Sequence, residues 1–485
     1  MPREEIALVA HVEHDRVMLA WGAFYYQDLG LVAGGDHRFK IVDDGKLKKF
    51  PEARRTRGTF GRNTESYGPA RTRIGEVLAD GSVDWHPWLD AHWATFNWHT
   101  DVRPNTRYRY EVEVNGSRWA APLRTVITAQ GERGVYRRFM TENGKTGTFD
   151  EDATLHASEF TTFPHPDAPS GTLRFAVLGD PGTGKAEQYA VGARLAELID
   201  KLQIRFVLTT GDNIYARGSK AGKVIQTITG RFQMSGDEDD DWIASYYLPY
   251  RDVINRVPVF PCLGNHDSEN TEDDDDLPQM IDNFYLLERF AVIADRWRIG
   301  DARYDTLFYR FPFGRDTEFV AVDTSFSDRS GARPIPLEMP PHQEFIQEVL
   351  DSPAPAWRIP FGHHPPFTLG PNHKDNERMQ RVAERFAAEG GVRVWLSGHE
   401  HNCQHHQENG VHYVVTGASG KGDSAPKRKT GRACCYAVPV HVMVVTVGPG
   451  GVQIELHGIN GRVAPVRIKG SAFPEHKHDV IEIPA

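Results

Sequence analysis

The sequence predicts an all-β domain over residues 1–168, followed by an α/β domain over residues 169–485. The first domain is predicted from runs such as Tyr108 to Val114, whose alternation of apolar and polar residues is typical of a half-buried strand. The second is predicted because, from Leu173 onward, strand-like runs alternate with helical stretches. A chain of 485 residues is long enough to bury a sizeable core and to hold two or three domains.

The first domain has three strand candidates, Ile6–Val12, Val17–Tyr26 and Tyr108–Val114, and a tight turn is predicted at Asn115-Gly116. The segment WHTDVRPNTRYRYEVEVNG around that turn resembles the core of a fibronectin type III module, in which a proline-containing turn precedes an aromatic-rich strand. The segment EFTTFPHP at 159–166 fits the last strand of such a module, and residues 125–155 look like an insertion within it. The resemblance implies a fibronectin type III-like β-sandwich with insertions.

The second domain follows a proline-rich linker, His165 to Gly171. Its helices are predicted at Ala186–Leu202, His342–Leu350 and Glu377–Ala388. Its strands are predicted within LRFAVLGD, IRFVLTTGD, VPVFPCLGN, TEFVAVDTS, WRIPFGH and VRVWLSGH, and later within YVVTGASG, VPVHVMVVTV and VQIEL. Sites in α/β domains usually lie just past the carboxyl ends of the strands, so the residues that follow these runs are the candidates for function.

Composition excludes some classes of function. The net charge of −10 disfavours non-specific binding of nucleic acid, which depends on an excess of Lys and Arg. The sequence has no run of about 18 or more apolar residues, so no membrane span is expected. It shows no secretory signal, so we expect a cytoplasmic protein if Met1 is the native start and an exported one otherwise. The four cysteines form neither a disulfide framework nor a CxxC zinc motif.

Five short motifs combine a glycine with side chains that can bind metal, and each follows a strand-like run. They are GDPG at 179–182, GDNIY at 211–215, GNHD at 264–267, GHHP at 362–365 and GHEH at 398–401. Two neighbouring metal ions need oxygen ligands, imidazoles and a carboxylate that bridges them, and these motifs supply all three. The two histidines of GHEH are two residues apart, which suits a loop that sends one side chain to each metal.

The ordered motifs resemble the calcineurin-like metallophosphoesterase superfamily, whose fold is a four-layer α/β/β/α sandwich. Many members begin with Asp-x-His, whereas this chain has Asp180-Pro181-Gly182 and therefore lacks that histidine. Tyr215 stands three residues after Asp212, and this combination resembles the purple acid phosphatase branch, in which the tyrosine binds ferric iron as tyrosinate.

The resemblance implies a binuclear centre with Fe(III) in one site and Fe(II), Zn or Mn in the other. The ligands it implies for the first metal are Asp180, Asp212, Tyr215 and His401. Those it implies for the second metal are Asp212, Asn265, His363 and His399, with Asp212 as the bridge. His266 and His364 are implied as phosphate or leaving-group contacts that do not bind metal.

The implied function is hydrolysis of phosphate monoesters by in-line attack of a metal-bound hydroxide, with His266 protonating the leaving alkoxide. The expected partner is a small phosphorylated substrate, with neither nucleic acid nor a membrane, and a homodimer is possible. A phosphodiesterase of the same superfamily is the alternative, because both activities use the same metals. A binding protein that keeps the fold without turnover is a third class, which the intact set of candidate ligands disfavours.

Two other patterns have competing interpretations. GDPGTGKA, from Gly179 to Ala186, nearly matches a nucleotide-binding P-loop, but Ala186 lacks the hydroxyl that such a loop needs to hold magnesium. The P-loop interpretation also leaves GNHD and GHEH unexplained. Cys403, His405 and His406 lack a recognisable zinc-ligand spacing, and a solvated loop is expected there.

Overall fold

The structure is a computed structural model that describes residues 3–31, 37–41, 69–91, 95–119, 124–125, 154–155, 158–215, 242–268, 280, 283–290, 308–324, 340–422, 425, 432–468 and 480–485. Within those ranges, none of the helices combines the length and the apolar character that crossing a membrane requires.

The first part of the chain is built of strands. They are β1 Arg3–Val12, β2 Val17–Leu31, β3 His37–Ile41, β4 Ala70–Val77, β5 Val83–Trp85, β6 Leu89–Ala91, β7 Phe96–His99, β8 Arg107–Val114, β9 Ser117–Arg118, β10 Arg124–Thr125, β11 Thr154–Leu155 and β12 Glu159–Thr161. One sheet has the order β1-β2-β3, with β7 beside β2, and another has the order β12-β8-β4-β5, with β6 and β9 attached. Strands β10 and β11 form a separate pair.

The strands predicted in this part are confirmed, since they fall within β1, β2 and β8. The predicted turn is confirmed as well: Asn115 and Gly116 have φ of 50° and 75°, and they join β8 to β9 as a two-residue hairpin turn. The likeness to fibronectin type III and the boundary at residue 168 stay predictions. Of the predicted insertion at 125–155, residues 126–153 lie outside the described residues.

The second part alternates strands and helices. Its strands are β13 Leu173–Leu178, β14 Val207–Thr209, β15 Val259–Pro261, β16 Tyr309–Phe313, β17 Thr317–Ala321, β18 Trp357–Phe361, β19 Val394–Ser397, β20 Cys403–Glu408, β21 Val411–Thr416, β22 Ala433–Ala437, β23 His441–Gly448, β24 Gly451–Gly458, β25 Gly461–Val463, β26 Val466–Arg467 and β27 Val480–Pro484. Its helices are α1 Ala186–Leu202, α2 Leu248–Ile254, α3 Asn265–Ser268, α4 Leu286–Arg289, α5 Pro340–Asp351 and α6 Glu377–Gly390, and a π-helical turn at Ile243–Tyr247 precedes α2.

These strands form two mixed sheets. The first has the order β15-β14-β13-β23-β24-β25, with β27 beside β24, and the second has the order β16-β17-β18-β19-β21-β20-β22-β26. The sheets face each other through phenylalanines: the rings of Phe175 and Phe319 lie 5.0 Å apart, and those of Phe260 and Phe311 lie 4.0 Å apart. Burial of these rings from water is a main source of the stability of the core.

Helices cover the outer faces of both sheets. Helix α1 packs against β23 and β24 of the first sheet. Helix α6 packs against the second sheet through Phe386, whose ring lies edge-on to Trp395 of β19 at 5.5 Å. The result is a helix–sheet–sheet–helix arrangement, as the resemblance implied.

The strand register explains where the candidate side chains lie. Strands β13, β14 and β15 run parallel in the first sheet, and β17, β18 and β19 run parallel in the second. Five of these strands end shortly before one of the five motifs, so the motifs share one edge of the sandwich. That edge holds the candidate site.

One expectation is wrong. The segment from Cys403 to Glu408 is strand β20 and lies between β21 and β22, whereas a solvated loop was expected. Its two histidines are buried: Nε2 of His405 lies 2.9 Å from Nδ1 of His412 in the neighbouring strand, and Nε2 of His406 lies 3.0 Å from Oε1 of Gln404. The polar composition of this segment predicted a loop, but the segment is an interior strand of the sheet, covered on both faces.

Candidate metal centre

The backbone is unusual at three of the predicted ligands. Asp180, Asp212 and His399 have positive φ of 53°, 49° and 72°, a region that costs residues other than glycine energy and that recurs at functional sites. The backbone at Gly211 lies close to the side chain of His363, since a Cβ at position 211 would lie 2.6 Å from Nδ1 of His363. The glycine therefore allows the loop after β14 to reach the loop after β18.

The first group of candidate ligands gathers around the hydroxyl of Tyr215. That oxygen lies 2.8 Å from Oδ2 of Asp212, 3.3 Å from Oδ1 of Asp180 and 3.1 Å from Nε2 of His401. The carboxylates are buried, and Asp180, Asp212 and His401 offer ligand atoms within 4.8 Å of one another. The four residues assigned to one metal from the sequence are thus brought together.

The second group gathers around Nε2 of His363. This nitrogen lies 2.9 Å from Oδ1 of Asn265, 3.0 Å from Nδ1 of His399 and 3.4 Å from Oδ1 of Asp212. The structure therefore brings together the second set as well. Asp212 takes part in both groups with different oxygens, Oδ2 towards Tyr215 and Oδ1 towards His363.

The chemistry of the donors fits a cation in the second group. Nδ1 of His363 lies 2.8 Å from the carbonyl oxygen of Thr210, which only accepts, so Nδ1 must carry the proton. Nε2 of His363 is then the ring nitrogen available to a cation, and it lies beside Asn265 Oδ1 and Asp212 Oδ1, two oxygens that could bind the same cation. The carbonyl contact at Nδ1 is the usual partner of a metal-binding histidine.

The electrostatics of the protein without metal point the same way. Burial raises the pKa of Asp180 to about 8, with the neighbouring carboxylate of Asp212 adding to the shift and His363 opposing it. Burial and the nearby carboxylates raise the pKa of Tyr215 well above its ordinary value. For Asp212, burial is outweighed by His363 and His266, which hold the pKa of this carboxyl below its ordinary value. Burial lowers the pKa of His399 well below its ordinary value, so its neutral, metal-binding form is favoured.

The two histidines for which the resemblance implied a phosphate or leaving-group contact lie beside these groups, and the ring nitrogens of His364 also lie close enough to those of His363 and His399 to share a metal ion with them. The ring of His266 packs on Tyr215 with centroids 4.4 Å apart, and its backbone N–H donates to Oδ1 of Asp212 at 3.0 Å. Its side chain keeps 19% of its surface exposed, so it reaches the opening of the site. His364 is buried, and its ring lies 4.4 Å from that of His399.

Two residues that sequence reasoning did not assign hold the loops in place. Oγ1 of Thr324 accepts the backbone N–H groups of His363 and His364 at 3.0 and 2.9 Å. Asp267 accepts the backbone N–H of Gly264 at 2.8 Å and two groups of Asn213, and burial raises the pKa of its carboxyl to about 7. Both residues were visible as signals, since Thr324 follows a predicted strand and Asp267 ends the GNHD motif.

Two further residues beside the site, His373 and Glu400, were also not predicted from the sequence. The ring of His373 stacks on His399 with centroids 3.6 Å apart, and its Nδ1 lies 2.9 Å from Oε1 of Glu400. Glu400 is buried and also accepts the backbone N–H of Asn372 at 3.1 Å. The glutamate of GHEH therefore holds a neighbouring loop against the second group.

The loop that resembled a P-loop has a different role. A phosphate-binding loop needs backbone N–H groups directed at the ligand. Here those N–H groups donate within the protein: Asp180 to the carbonyl of Gly211, Gly182 to the carbonyl of Asp212 and Gly184 to Oε1 of Gln188. The loop carries Asp180 into the first group instead.

Comparison with known families agrees with this geometry. The sequence model of the family described as calcineurin-like phosphoesterase matches residues 173–403, a span that contains every predicted ligand. This part of the chain is a calcineurin-like phosphoesterase domain. The match begins at β13 and leaves the N-terminal sheets outside it.

Relatives place the domain near the purple acid phosphatases. The chain is 27% identical over 287 residues to tartrate-resistant acid phosphatase type 5 of Oryctolagus cuniculus. The alignment covers 54% of this chain and 77% of the relative. It is 23% identical over 285 residues to purple acid phosphatase 17 of Arabidopsis thaliana, and that alignment covers 55% of this chain and 75% of the relative. Such relatives indicate a phosphatase of the metallophosphoesterase superfamily, and a purple acid phosphatase-like family implies a dinuclear metal centre.

Solved structures share the fold over most of the chain. A purple acid phosphatase from seeds of yellow lupin, Lupinus luteus, superposes with a TM-score of 0.53 at 14% identity and covers 96% of this chain and 74% of that one. The structure of PhoD superposes with a TM-score of 0.55 at 12% identity and covers 96% of this chain and 93% of that one. At these identities the likeness establishes the fold alone.

Proposed function

We propose that the protein is a binuclear-metal phosphatase that hydrolyses phosphate monoesters. The observation that carries the proposal is the position of Asp212, whose two oxygens face two different groups of candidate ligands. A carboxylate shared in this way is what a pair of metal ions requires of a bridging ligand. The names of the acid phosphatase relatives support the monoester as the substrate class.

The donor sets suggest different ions for the two groups. The first group contains a tyrosine hydroxyl and two carboxylates, which are hard oxygen donors suited to Fe(III) once the phenol is ionised. The second contains two imidazoles, an amide oxygen and a carboxylate, which suit Fe(II), Zn or Mn. When bound, the two ions supply a water of lowered pKa and neutralise charge on the phosphoryl oxygens.

The protein's own residues orient and protonate the substrate. His266 lies at the opening, held by its backbone bond to Asp212 and by the ring of Tyr215, where its side chain can give a proton to the leaving oxygen. His364 lies beside the second group with its backbone held by Thr324, and these contacts support a role for its ring in contacting a phosphoryl oxygen.

The proposal is tested with freshly purified protein by measuring metal content and hydrolysis together. We expect about two metals per chain and turnover of para-nitrophenyl phosphate well above that of bis(para-nitrophenyl) phosphate. His399→Ala removes a ligand of the second group and is expected to lower kcat at least about a hundredfold. The matched control is His165→Ala, a half-exposed histidine that lies outside the candidate centre.

The outcomes separate the candidate functions. Faster hydrolysis of the diester would replace the phosphatase with a phosphodiesterase of the same superfamily. Absence of bound metal after reconstitution, together with absence of turnover, would leave a binding protein that keeps the fold. Magnesium-dependent ATP turnover that survives both Asn265→Ala and His399→Ala would overturn the metal centre.

A further inference from the structure

A cavity of about 580 Å³ opens beside the second group of candidate ligands. His364 and His399 line it, and so do the segment that precedes helix α6 and the first turns of that helix. Since His399 belongs to the second group and His364 lies beside it, a phosphate ester bound at the centre has room there for its leaving group.

The cavity carries three cations. Lys374, Arg378 and Arg381 line it and are exposed, and we call these three residues the cationic wall. Arg378 and Arg381 are three residues apart in α6, so their side chains leave the same face of the helix. The wall stands out in a chain whose net charge is −10.

The acidic residues of the cavity do not cancel this charge. Two carboxylates line it, Asp375 and Glu377. Asp375 is already engaged, because its Oδ1 accepts the backbone N–H of Thr368 at 2.9 Å and its Oδ2 lies 2.9 Å from Nη1 of Arg432. Among the residues that line the cavity, three cations therefore face two carboxylates, and one of those carboxylates is paired with Arg432.

We propose that the cationic wall binds an acidic group on the leaving group of the substrate, so that the preferred substrate is a small phosphate monoester with a second anionic group. The acidic group is a carboxylate or a second phosphate, since guanidinium groups bind both in the same bidentate manner. The inference rests on the proposed function, because it assigns the leaving group of that reaction to the cavity. An ester whose leaving group is uncharged makes no ion pair with the wall, which stays hydrated, and this ester is still hydrolysed.

The experiment compares phosphate esters that differ only in this charge. The substrates are para-(carboxymethyl)phenyl phosphate, its uncharged carbamoylmethyl analogue and the phosphonomethyl analogue. We expect the metal-loaded wild type to show kcat/KM about tenfold higher for the better of the two acidic esters than for the uncharged one, and this preference is expected to shrink with added salt. Which acidic ester is preferred distinguishes the carboxylate from the phosphate.

Variants assign the preference to the cationic wall. In Arg378→Gln/Arg381→Gln we expect the preference to fall to about twofold or less, while kcat/KM for the uncharged ester stays within about twofold of wild type. The matched control is Arg385→Gln, which removes a charge one turn further along α6, outside the cavity lining. A preference that the double variant retains, or that Arg385→Gln reduces equally, overturns the inference.

A binding measurement keeps the inference separate from the proposed function. The dissociation constants of phenylphosphonate and para-(carboxymethyl)phenylphosphonate are measured by calorimetry on the metal-loaded wild type and the double variant. Tighter binding of the acidic phosphonate, lost in the double variant, supports the subsite even if no ester is hydrolysed. Hydrolysis of all esters at equal rates, with equal binding of both phosphonates, refutes the subsite and leaves the phosphatase standing.

Discussion

The hydroxyl of Tyr215 donates a 2.8 Å hydrogen bond to Oδ2 of Asp212, three residues earlier in the chain. The same hydroxyl lies 3.1 Å from Nε2 of His401, which comes from the far end of the family match. Since Oδ1 of Asp212 faces His363, this single carboxylate connects the two groups of candidate ligands.

Replacing Tyr215 with phenylalanine tests the first metal. The change removes one oxygen at a half-buried position, so the fold should persist while the proposed ferric ion loses its phenolate ligand. We expect the iron content to fall to about half or less and any visible absorption band to disappear. Metal analysis and absorption spectroscopy are the measurements, with circular dichroism as the check of folding. An unchanged spectrum and metal content would remove Tyr215 from the ligand set.

The adjacent histidines should respond differently to substitution. His363→Ala removes Nε2 from the second group, and we expect metal content to fall from about two ions per chain towards one. His364→Ala should keep both ions and lower kcat by about 10- to 1000-fold, because this side chain is proposed to contact phosphate. Metal analysis of the two variants, beside steady-state kinetics, makes the comparison. Loss of metal from His364→Ala with retention in His363→Ala would reverse the two assignments.

Removal of the metals should destabilise the protein. Asp180 and Asp212 are both buried, and their negative charge is offset chiefly by the proposed cations. Ligand linkage predicts a loss of about 4 kcal/mol in the free energy of unfolding for each metal that chelation removes, if that metal is present at a thousandfold excess over its Kd. Calorimetry before and after chelation measures this loss. The control is Asp180→Asn, in which the effect of the chelator should be smaller, and an equal melting temperature with and without chelator would contradict the centre.

The stability should depend on pH through His11, which lies far from the candidate metal ligands in sequence. Burial lowers the pKa of His11 from 6.5 to about 4, although Glu13 opposes the shift. Between these values the unfolded chain binds a proton that the folded protein does not, so the stabilisation is complete above pH 6.5 and is lost as the pH falls towards 4. The loss from this group amounts to about 3 kcal/mol.

The variant His11→Gln isolates that effect. Nδ1 of His11 accepts from Nε of Arg289 at 3.2 Å, and the glutamine amide oxygen can accept in its place without titrating. Denaturant unfolding of wild type and variant from pH 7 to pH 4 should show a steeper loss of stability in the wild type, while other buried histidines contribute equally to both. Parallel pH profiles of the two proteins would show that His11 titrates normally.

The P-loop interpretation predicts a role for Lys185, whereas the structure predicts none. Lys185 is exposed and its side chain does not cap helix α1. We expect Lys185→Ala to change kcat/KM less than about twofold. Gly182→Ala in the same loop should destabilise the protein by about 2 kcal/mol or more, since its Cβ would lie 2.0 Å from the carbonyl oxygen of Asn213. Loss of activity in Lys185→Ala with normal folding would reopen nucleotide binding.

Much of the fold was readable from local pattern. Helix α1 has the predicted bounds, and helices α5 and α6 extend the predictions by one to two residues at their ends. The strand before GNHD was predicted at Val257–Leu263, but β15 covers only Val259–Pro261. Pro258 precedes that short strand and Pro261 is its last residue, and the two prolines limit the backbone donors available for pairing. Strand β20 was not predicted because its residues are mostly polar and show no apolar periodicity. They form a strand because the segment pairs with β21 on one side and β22 on the other.

The sequence by itself determined which side chains were available at the strand ends, because strand periodicity and the carboxyl-end rule for α/β sheets are local. It also presented Asp212 and Tyr215 at a spacing that pairs them. Only the tertiary structure decided that Thr324 holds His363 and His364 together and that Glu400 brings His373 against His399. It alone placed Lys374, Arg378 and Arg381 on a cavity that His399, a candidate metal ligand, also lines. These contacts join segments that the packing of two sheets brings together, and the local residue pattern does not specify which loops will meet.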